Sequence, residues 1–261
     1  MKILIIGAGK MGTFFSDLLS FDHQVAVIDS DPRRLRFVYN VERLTDAAQV
    51  ADFDPDMVIN AATVRHTLDA YRQVMPFLRQ DCILADIASV KTTLPDFYSQ
   101  CGHPYVSTHP MFGPTFANLA NLASENAIVI TQGDERGRQF FLDLYQSLGL
   151  HIEQYSFAQH DATMAYSLSI PFASTMAFAA VMQPQKAPGT TFKRHMAIAR
   201  GLMAEDDWLL TEILFNPLTD QKLTGIIDSL TTLRDIVRQH DTDAMLHYIN
   251  NIRARLNDAH H

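Results

Sequence analysis

The chain has little of what marks several classes of protein. Its 261 residues include two cysteines, and acidic residues outnumber basic ones by 29 to 21. Two cysteines form neither a disulfide framework nor the spacing of a zinc site, which indicates free thiols in a reducing cytoplasm. The formal net charge of −8 would repel phosphate backbones and anionic lipid. We therefore expect no nucleic-acid partner and no membrane-surface role. We also expect no metal, because histidines such as His23, His66 and His151 have no companion at ligand spacing.

Long hydrophobic runs are also scarce. The apolar run at residues 3–6 is too short for a secretory signal. The longest charge-free stretch, residues 162–185, is interrupted by Ser167, Ser169 and Pro171, whereas a membrane-spanning helix needs about 20 predominantly apolar residues. We therefore predict a buried helix in this stretch, no membrane contact, and a cytoplasmic protein.

The patterning of the apolar residues divides the chain in two. Up to about residue 155, short apolar runs alternate with helical patterns, which predicts a parallel sheet covered by helices. The predicted strands are 3–6, 25–28, 57–61, 83–86, 105–107 and 127–131, and the predicted helices are 11–19, 32–39, 64–78 and 135–148. From residue 160 onward only helices are predicted, over 160–182, 189–204, 206–215, 219–239 and 242–257.

A glycine-rich segment follows the first predicted strand and leads into a helix. It contains Gly7, Gly9, Lys10, Met11 and Gly12. In this context the first glycine permits a tight turn, the second lets a pyrophosphate approach the backbone, and the third lets the helix pack on the strand. Free N–H groups and the helix dipole then hold the phosphates. We expect a Rossmann-type dinucleotide-binding α/β domain at 1–155 and an all-α domain at 156–261.

The end of the second predicted strand favours NAD as the dinucleotide. Asp29 lies 22 residues after Gly7, where a carboxylate can accept hydrogen bonds from the ribose hydroxyls and would repel a 2′-phosphate. Arg33 and Arg34 could instead clasp such a phosphate, which leaves NADP as the alternative. Thr63 follows another strand and is expected to line the nicotinamide side, or else to cap the helix that follows it.

Two further strands end in polar clusters that we expect at the same edge of the sheet. One cluster contains Ser89 and Lys91, and the other contains His109. An imidazole can take a hydroxyl proton while hydride leaves the carbon that bears the hydroxyl. Ser89 could hydrogen-bond the same hydroxyl or the nicotinamide carboxamide, and Lys91 could supply positive potential or anchor its loop.

The order of these motifs resembles the prephenate dehydrogenases and their arogenate-using relatives. The segments that carry the resemblance are Gly7 to Gly12, Asp86 to Lys91, His109 to Pro114, and the His160-Asp161 pair with Met164 and Ala165. The resemblance implies an NAD-binding domain, an all-helical dimerisation domain, and His109 as the catalytic base with Ser89 as its hydrogen-bonding companion. The implied reaction is the oxidative decarboxylation of prephenate to 4-hydroxyphenylpyruvate, with arogenate as the alternative substrate. We expect His160-Asp161 to cap and orient the first helix of the second domain.

The sequence also departs from the family pattern. An acidic residue common after the His-Pro motif is replaced by Thr115 or Pro114, and no histidine lies within 167–172. The expected carboxylate-binding arginine is replaced by Gly201. Helix geometry favours Arg194 as its substitute, about 20° away, over Arg200, about 100° away. Lys193 and His195 flank Arg194, and we expect the three together to bind the substrate carboxylates. Alternatively, they form only a solvated basic start of the helix. These departures keep open a non-catalytic nucleotide sensor.

The size of the second domain predicts its assembly. Its apolar helices exceed what about 100 residues can bury alone. We therefore expect a homodimer. Trp208 and Phe215 have the spacing of a buried helix face.

Overall fold

The computed structural model describes residues 1–112 and 122–258 and contains two compact units. The first comprises Met1–Met164 together with Glu205–Ile213, and the second comprises Ala165–Ala204 together with the chain from Leu214 onward. The predicted architecture, an α/β domain followed by a helical region, is confirmed. The sequence-based boundary at residue 155 falls inside the first unit, because the helix Phe157–Met164 and the segment 205–213 also belong to that unit.

The first unit is built on one sheet of eight strands. In chain order these are β1 (Lys2–Ile6), β2 (Gln24–Ile28), β3 (Glu42–Leu44), β4 (Met57–Asn60), β5 (Ile83–Asp86), β6 (Tyr105–Pro110), β7 (Asn126–Gly133) and β8 (His151–Tyr155). Their order across the sheet is β3-β2-β1-β4-β5-β6-β7-β8. Neighbouring strands are parallel except β6 and β7, which are antiparallel.

Three features of the sheet differ from the prediction. The sheet is not uniformly parallel, because an apolar run such as that of β7 has the same pattern in either direction. The strands β3 and β8 were not predicted, and both form edges of the sheet. One of the three residues of β3 is buried, and none of β8 is. An edge strand with so few buried residues lacks the apolar run by which a strand is recognised.

Seven of the described α-helices lie wholly or mostly in the first unit. They are α1 (Lys10–Leu19), α2 (Gln49–Phe53), α3 (Thr67–Val74), α4 (Leu94–Gln100), α5 (Glu135–Ser147), α6 (Phe157–Met164) and α9 (Asp207–Leu214). The short helices α2 and α4 were not predicted. The predicted helix 32–39 is a 3₁₀ helix, Pro32–Phe37, which the Asp31 side chain caps. The predicted helix 64–78 is likewise divided into 3₁₀ turns on either side of α3.

In its described part, the second unit contains helices and no strands. A π-helical turn at Ala165–Ser169 leads into α7 (Ile170–Val181), followed by α8 (Thr190–Leu202), α10 (Thr219–Gln239) and α11 (Thr242–Asp258). The prediction of a buried helix was wrong, because no residue of α7 is buried in the single chain. Among the described residues, the helical run Phe157–Val181 is long and apolar enough to cross a membrane by length and composition alone.

The two cysteines have different environments. Cys82 is buried and Cys101 is half-buried, and both are free thiols. Burial raises the pKa of the Cys82 thiol to about 12. Because the thiolate is the reactive form, this cysteine is inert at neutral pH.

Candidate active site

The glycine turn between β1 and α1 has an open backbone at its centre. Gly7 adopts a φ of +101°, which favours glycine, and its N–H donates to Ile28 O at 2.7 Å. A Cβ at Gly12 would lie 1.8 Å from the carbonyl oxygen of Gly7, whereas a Cβ at Gly9 would meet nothing within 4 Å. Gly9 is also the N-cap of α1 and provides no side-chain cap. The N–H groups at the start of α1 therefore face a space that admits a phosphate.

The carboxylate of Asp29 fastens this turn to the end of β2. Its Oδ2 accepts the Ala8 N–H at 2.6 Å, and its Oδ1 accepts the Asp31 N–H at 2.8 Å. Each carboxylate oxygen has a second lone pair. Asp29 can thus hold the turn and still accept ribose hydroxyls. Arg33, the candidate for a 2′-phosphate, pairs instead with Asp31 through Nε at 2.9 Å and Nη2 at 3.0 Å.

Thr63 lies in the loop after β4. It occupies the N-cap position of the 3₁₀ helix Val64–His66, but its side chain makes no capping hydrogen bond. Its carbonyl oxygen accepts the His66 N–H at 2.8 Å and the Thr67 hydroxyl at 3.2 Å. The side-chain cap offered as the alternative role of Thr63 is therefore not formed.

Lys91 is fully buried beneath the edge of the sheet. Its Nζ donates to Asp86 Oδ1 and, at 2.7 Å, to the carbonyl oxygen of Thr108. The Tyr98 hydroxyl donates to Asp86 Oδ2 at 2.8 Å and lies 3.1 Å from the Tyr71 hydroxyl. Burial lowers the pKa of Lys91, while Asp86 opposes this shift. Of its two predicted roles, the structure places Lys91 as an anchor that joins the ends of β5 and β6.

His109 follows directly on this anchor. It lies near the end of β6, is 6% exposed, and its Nδ1 is 3.0 Å from Nε2 of His160. Burial lowers the pKa of His109 well below its usual value, and the nearby His160 and Lys91 lower it further. The imidazole is therefore neutral near pH 7 and can accept a proton.

Two serines lie near His109 in the strand register. Ser107 is opposite Asp86 in the pairing of β5 with β6, which places Ser89, three residues beyond Asp86, at the same edge as His109. Ser107 shares a face of β6 with His109, because side chains alternate along a strand. Its Oγ is buried and has no hydrogen-bond partner among the described residues.

His160 and Arg65 are site candidates to which the sequence analysis gave no chemical role. His160 is fully buried on α6, and its Nδ1 is 3.3 Å from Asp161 Oδ1. The predicted capping role is wrong, because α6 begins three residues earlier at Phe157.

The guanidinium of Arg65 lies 4.4 Å from the ring centroid of Trp208. Trp208 is 47% exposed, so the prediction that it is buried was also wrong.

The second unit places the predicted cations unequally. Lys193 and Arg200 line a cavity of about 360 Å³ together with Phe192 and Met196. They are seven residues apart on α8, which places them on one helix face. Arg194, the substitute favoured by helix geometry, is not among the described residues that line this cavity. Nearby, the carbonyl oxygen of Thr191 lies 3.1 Å from His195 Nδ1.

Part of the motif that begins at His109 lies outside the described residues. This applies to Gly113, Pro114 and Thr115, including the position where relatives carry an acidic residue.

Comparison with known proteins identifies the fold of the first unit. Residues 14–150 match the model of the prephenate dehydrogenase nucleotide-binding domain, which is more than half of the chain. The chain belongs to the prephenate dehydrogenase family. The family match assigns a nucleotide-binding role to the domain whose glycine turn is described above.

The curated relatives of this family member differ in length. The T-protein of Enterobacter agglomerans is 25% identical over 225 residues, which are 82% of this chain and 56% of that protein. The T-protein of Haemophilus influenzae is 23% identical, and the match covers 65% of that protein. The chain therefore spans less than two thirds of either T-protein. The cyclohexadienyl dehydrogenase of Zymomonas mobilis is 25% identical, with 97% of this chain and 94% of that protein covered.

Two solved structures of family members share the fold over nearly the whole chain. Prephenate dehydrogenase from A. aeolicus, in complex with hydroxyphenyl propionate and NAD+, has a TM-score of 0.83 at 22% identity, with 99% of this chain and 98% of that one covered. Arogenate dehydrogenase from Synechocystis has a TM-score of 0.75 at 16% identity, with 99% and 100% covered.

Proposed function

We propose that this chain is an NAD-dependent dehydrogenase that converts prephenate to 4-hydroxyphenylpyruvate and carbon dioxide. The observation that carries the proposal is a buried imidazole, His109, at the carboxyl end of β6, and burial lowers its pKa. Ligands of open α/β sheets bind at this end of the strands. The family match supplies the class of reaction for which such a base is needed.

The role of His109 is to hold and move one proton. It takes the proton of the substrate's 4-hydroxyl as hydride leaves the carbon that bears this hydroxyl. Carbon dioxide then leaves as the ring becomes aromatic. His109 can return that proton to the oxygen, which becomes the phenol of the product. Because burial lowers its pKa, His109 remains a base at a lower pH than an ordinary imidazole.

The residues around the glycine turn fit NAD. When bound, NAD+ would supply the hydride acceptor. The open backbone at Gly9 and the uncapped start of α1 suit a pyrophosphate, and Asp29 suits the adenosine ribose. The pairing of Arg33 with Asp31 favours NAD over NADP. On the other side, Thr63 and Ser89, which follow β4 and β5, are the proposed polar partners for the nicotinamide.

Two cations of the second unit, Lys193 and Arg200, are the proposed partners of the substrate carboxylates. Lys193 and Arg200 line a partly apolar cavity, which suits a cyclic carboxylate. We assign Lys91 to positioning rather than to substrate contact, because its ammonium is fully buried and bonded within the chain. The homodimer and the cytoplasmic location remain part of this proposal.

Arogenate is the second candidate substrate, since it carries an amine where prephenate has a ketone. It is supported by relatives of both kinds, among them the arogenate dehydrogenase of Synechocystis. No described residue separates the two compounds.

The test is turnover of both compounds by the purified chain. With NAD+ present, NADH absorbance is expected to rise with prephenate, and His109→Ala is expected to lower kcat by about a thousandfold. The exposed His247→Ala is the matched control and should leave the rate unchanged. A faster reaction with arogenate would favour the second candidate. NADH binding without turnover of either compound would contradict catalysis and favour the sensor.

A further inference from the structure

Only one of the two ring nitrogens of His109 can serve as the base in a given tautomer. Its Nδ1 lies 3.0 Å from Nε2 of His160, so this nitrogen is used within the chain. No described group forms a hydrogen bond with Nε2 of His109. The two rings are tilted by 58°, with their centroids 5.3 Å apart. The bond joins two buried side chains from different elements, β6 and α6.

The positions of the protons follow from the next hydrogen bond. Nδ1 of His160 lies 3.3 Å from Asp161 Oδ1. An ionised carboxylate only accepts, so His160 must carry its proton on Nδ1. Burial lowers the pKa of both histidines, which makes both rings neutral and leaves one proton on each. Nε2 of His160 is then an acceptor, and the proton of His109 must lie on its Nδ1.

We propose that His160 and Asp161 are positioning residues that hold His109 as the Nδ1–H tautomer, so that Nε2 of His109 is the atom that receives the substrate's hydroxyl proton. The identity of that substrate rests on the proposed function, whereas the tautomer is a property of the chain itself. As Nε2 takes the proton, the Nδ1–H bond to His160 becomes charge-assisted and therefore stronger.

The groups around His109 have opposing effects on the protonated ring. Burial disfavours the imidazolium, and so does Lys91, whose charge is paired with Asp86. From α5, Tyr145 contacts Thr108, the neighbour of His109, with 3.1 Å between the two hydroxyl oxygens. From α6, Asp161 lies beyond His160 and favours a positive charge on His160, and the same Coulombic attraction acts over a longer distance on a proton at His109. Removing this carboxylate should therefore make His109 harder to protonate.

The tautomer can be measured on the full chain without any ligand. Long-range ¹H–¹⁵N correlation spectra of protein labelled with [¹⁵N]histidine distinguish Nδ1–H from Nε2–H rings, and His109→Gln identifies the His109 signals. We expect His109 to be in the Nδ1–H form and to remain neutral as the pH is lowered through 6. An Nε2–H form of His109 would overturn the proposal, whatever the activity.

Kinetics of Asp161→Asn separate positioning from a structural role. Its amide can donate to His160 and reverse the order of the hydrogen bonds. We expect kcat to fall at least about tenfold with the KM values for NAD+ and prephenate within about twofold, because the wrong tautomer is stabilised. The acid limb of the kcat profile should move about half a pH unit lower, since a negative charge is lost. Asp52→Asn, an exposed carboxylate on α2, is the control.

Substitutions of His160 provide a rescue test. His160→Ala removes the acceptor, whereas His160→Gln can place an amide oxygen near the position of Nε2. The glutamine variant should recover at least about tenfold in kcat over alanine, with thermal unfolding measured to show that both fold. Equal rates for the two folded variants, or an unmoved acid limb in Asp161→Asn, would contradict positioning.

The two proposals fail in different ways. If His109 is the Nδ1–H tautomer but neither compound is turned over, the proposed function is contradicted and the tautomer assignment is retained. If a compound is turned over but His109 is the Nε2–H tautomer, the tautomer assignment is contradicted and the proposed function is retained.

Discussion

The two units of this chain differ in how well they bury their own apolar residues. In the first unit every residue of β4 and β5 is buried, and Phe15, Phe141 and Tyr145 are fully buried against the sheet. In the second unit, no residue of α7 or α11 is buried, and α10 buries only Thr219. The first unit therefore has a core of its own, whereas the second needs a covering surface to bury its apolar residues.

The largest expected difference lies in the free energy of unfolding. Phe141→Ala removes a fully buried ring from α5 and should cost about 3–5 kcal/mol. Phe215→Ala removes a ring that is 76% exposed and should change the free energy of unfolding of the single chain by less than about 0.5 kcal/mol. Denaturant unfolding of both variants, at a protein concentration low enough to give monomers, measures this difference.

A large decrease in the free energy of unfolding for Phe215→Ala under those conditions would contradict the difference between the two units. It would mean that the second unit packs this ring within a single chain. Equal small losses for both variants would mean that the sheet of the first unit is not the stable core.

The second difference concerns what covers the helices of the second unit, which we propose is a second copy of the chain. Leu230 and Val237 are more than half exposed and lie seven residues apart on α10, on one face. Leu230→Glu would place a charge in the dimer interface and should weaken dimerisation at least about a hundredfold. Sedimentation equilibrium at micromolar concentration measures the dissociation constant.

Thr232→Glu is the matched control for this substitution. Thr232 is exposed on the same helix, about 200° around from Leu230. It should leave the dissociation constant within about threefold. A monomeric wild type, or equal effects of the two glutamates, would contradict a dimer through this face.

The same contrast explains what the sequence could predict. The strands β1, β4 and β5 have continuous apolar runs because they are buried on both faces, and they were predicted within a residue or two. The edge strands β3 and β8 lack such runs and were missed. In the second unit the helical period was read correctly, but periodicity does not show which apolar face is covered within the chain. This is why α7 and Trp208 were wrongly predicted to be buried.

The candidate site shows a similar limit. Strand ends and glycine spacing predicted that His109 lies near the end of β6 and that the glycine turn joins β1 to α1, because these are local consequences of the sheet. The role of Ser89 stays a prediction. The hydrogen bond between His109 and His160 joins residues 51 positions apart, and nothing in the spacing of histidines predicts such a pair. The burial of Lys91 was also hidden, since a lysine after a strand is more often solvated.

The smallest expected effect separates the candidate cations for the substrate carboxylates. Arg200→Ala should raise the KM for prephenate about tenfold with little change in kcat, since it removes a charge from the cavity on α8. Arg194→Ala should leave KM within about twofold, because Arg194 does not line that cavity. Arg65→Ala, in the first unit, tests a third position, a guanidinium held over the Trp208 ring. A KM effect confined to Arg65 would move carboxylate recognition to the first unit. An increase in KM confined to Arg194→Ala would instead support Arg194 as the carboxylate-binding residue, as helix geometry alone favours.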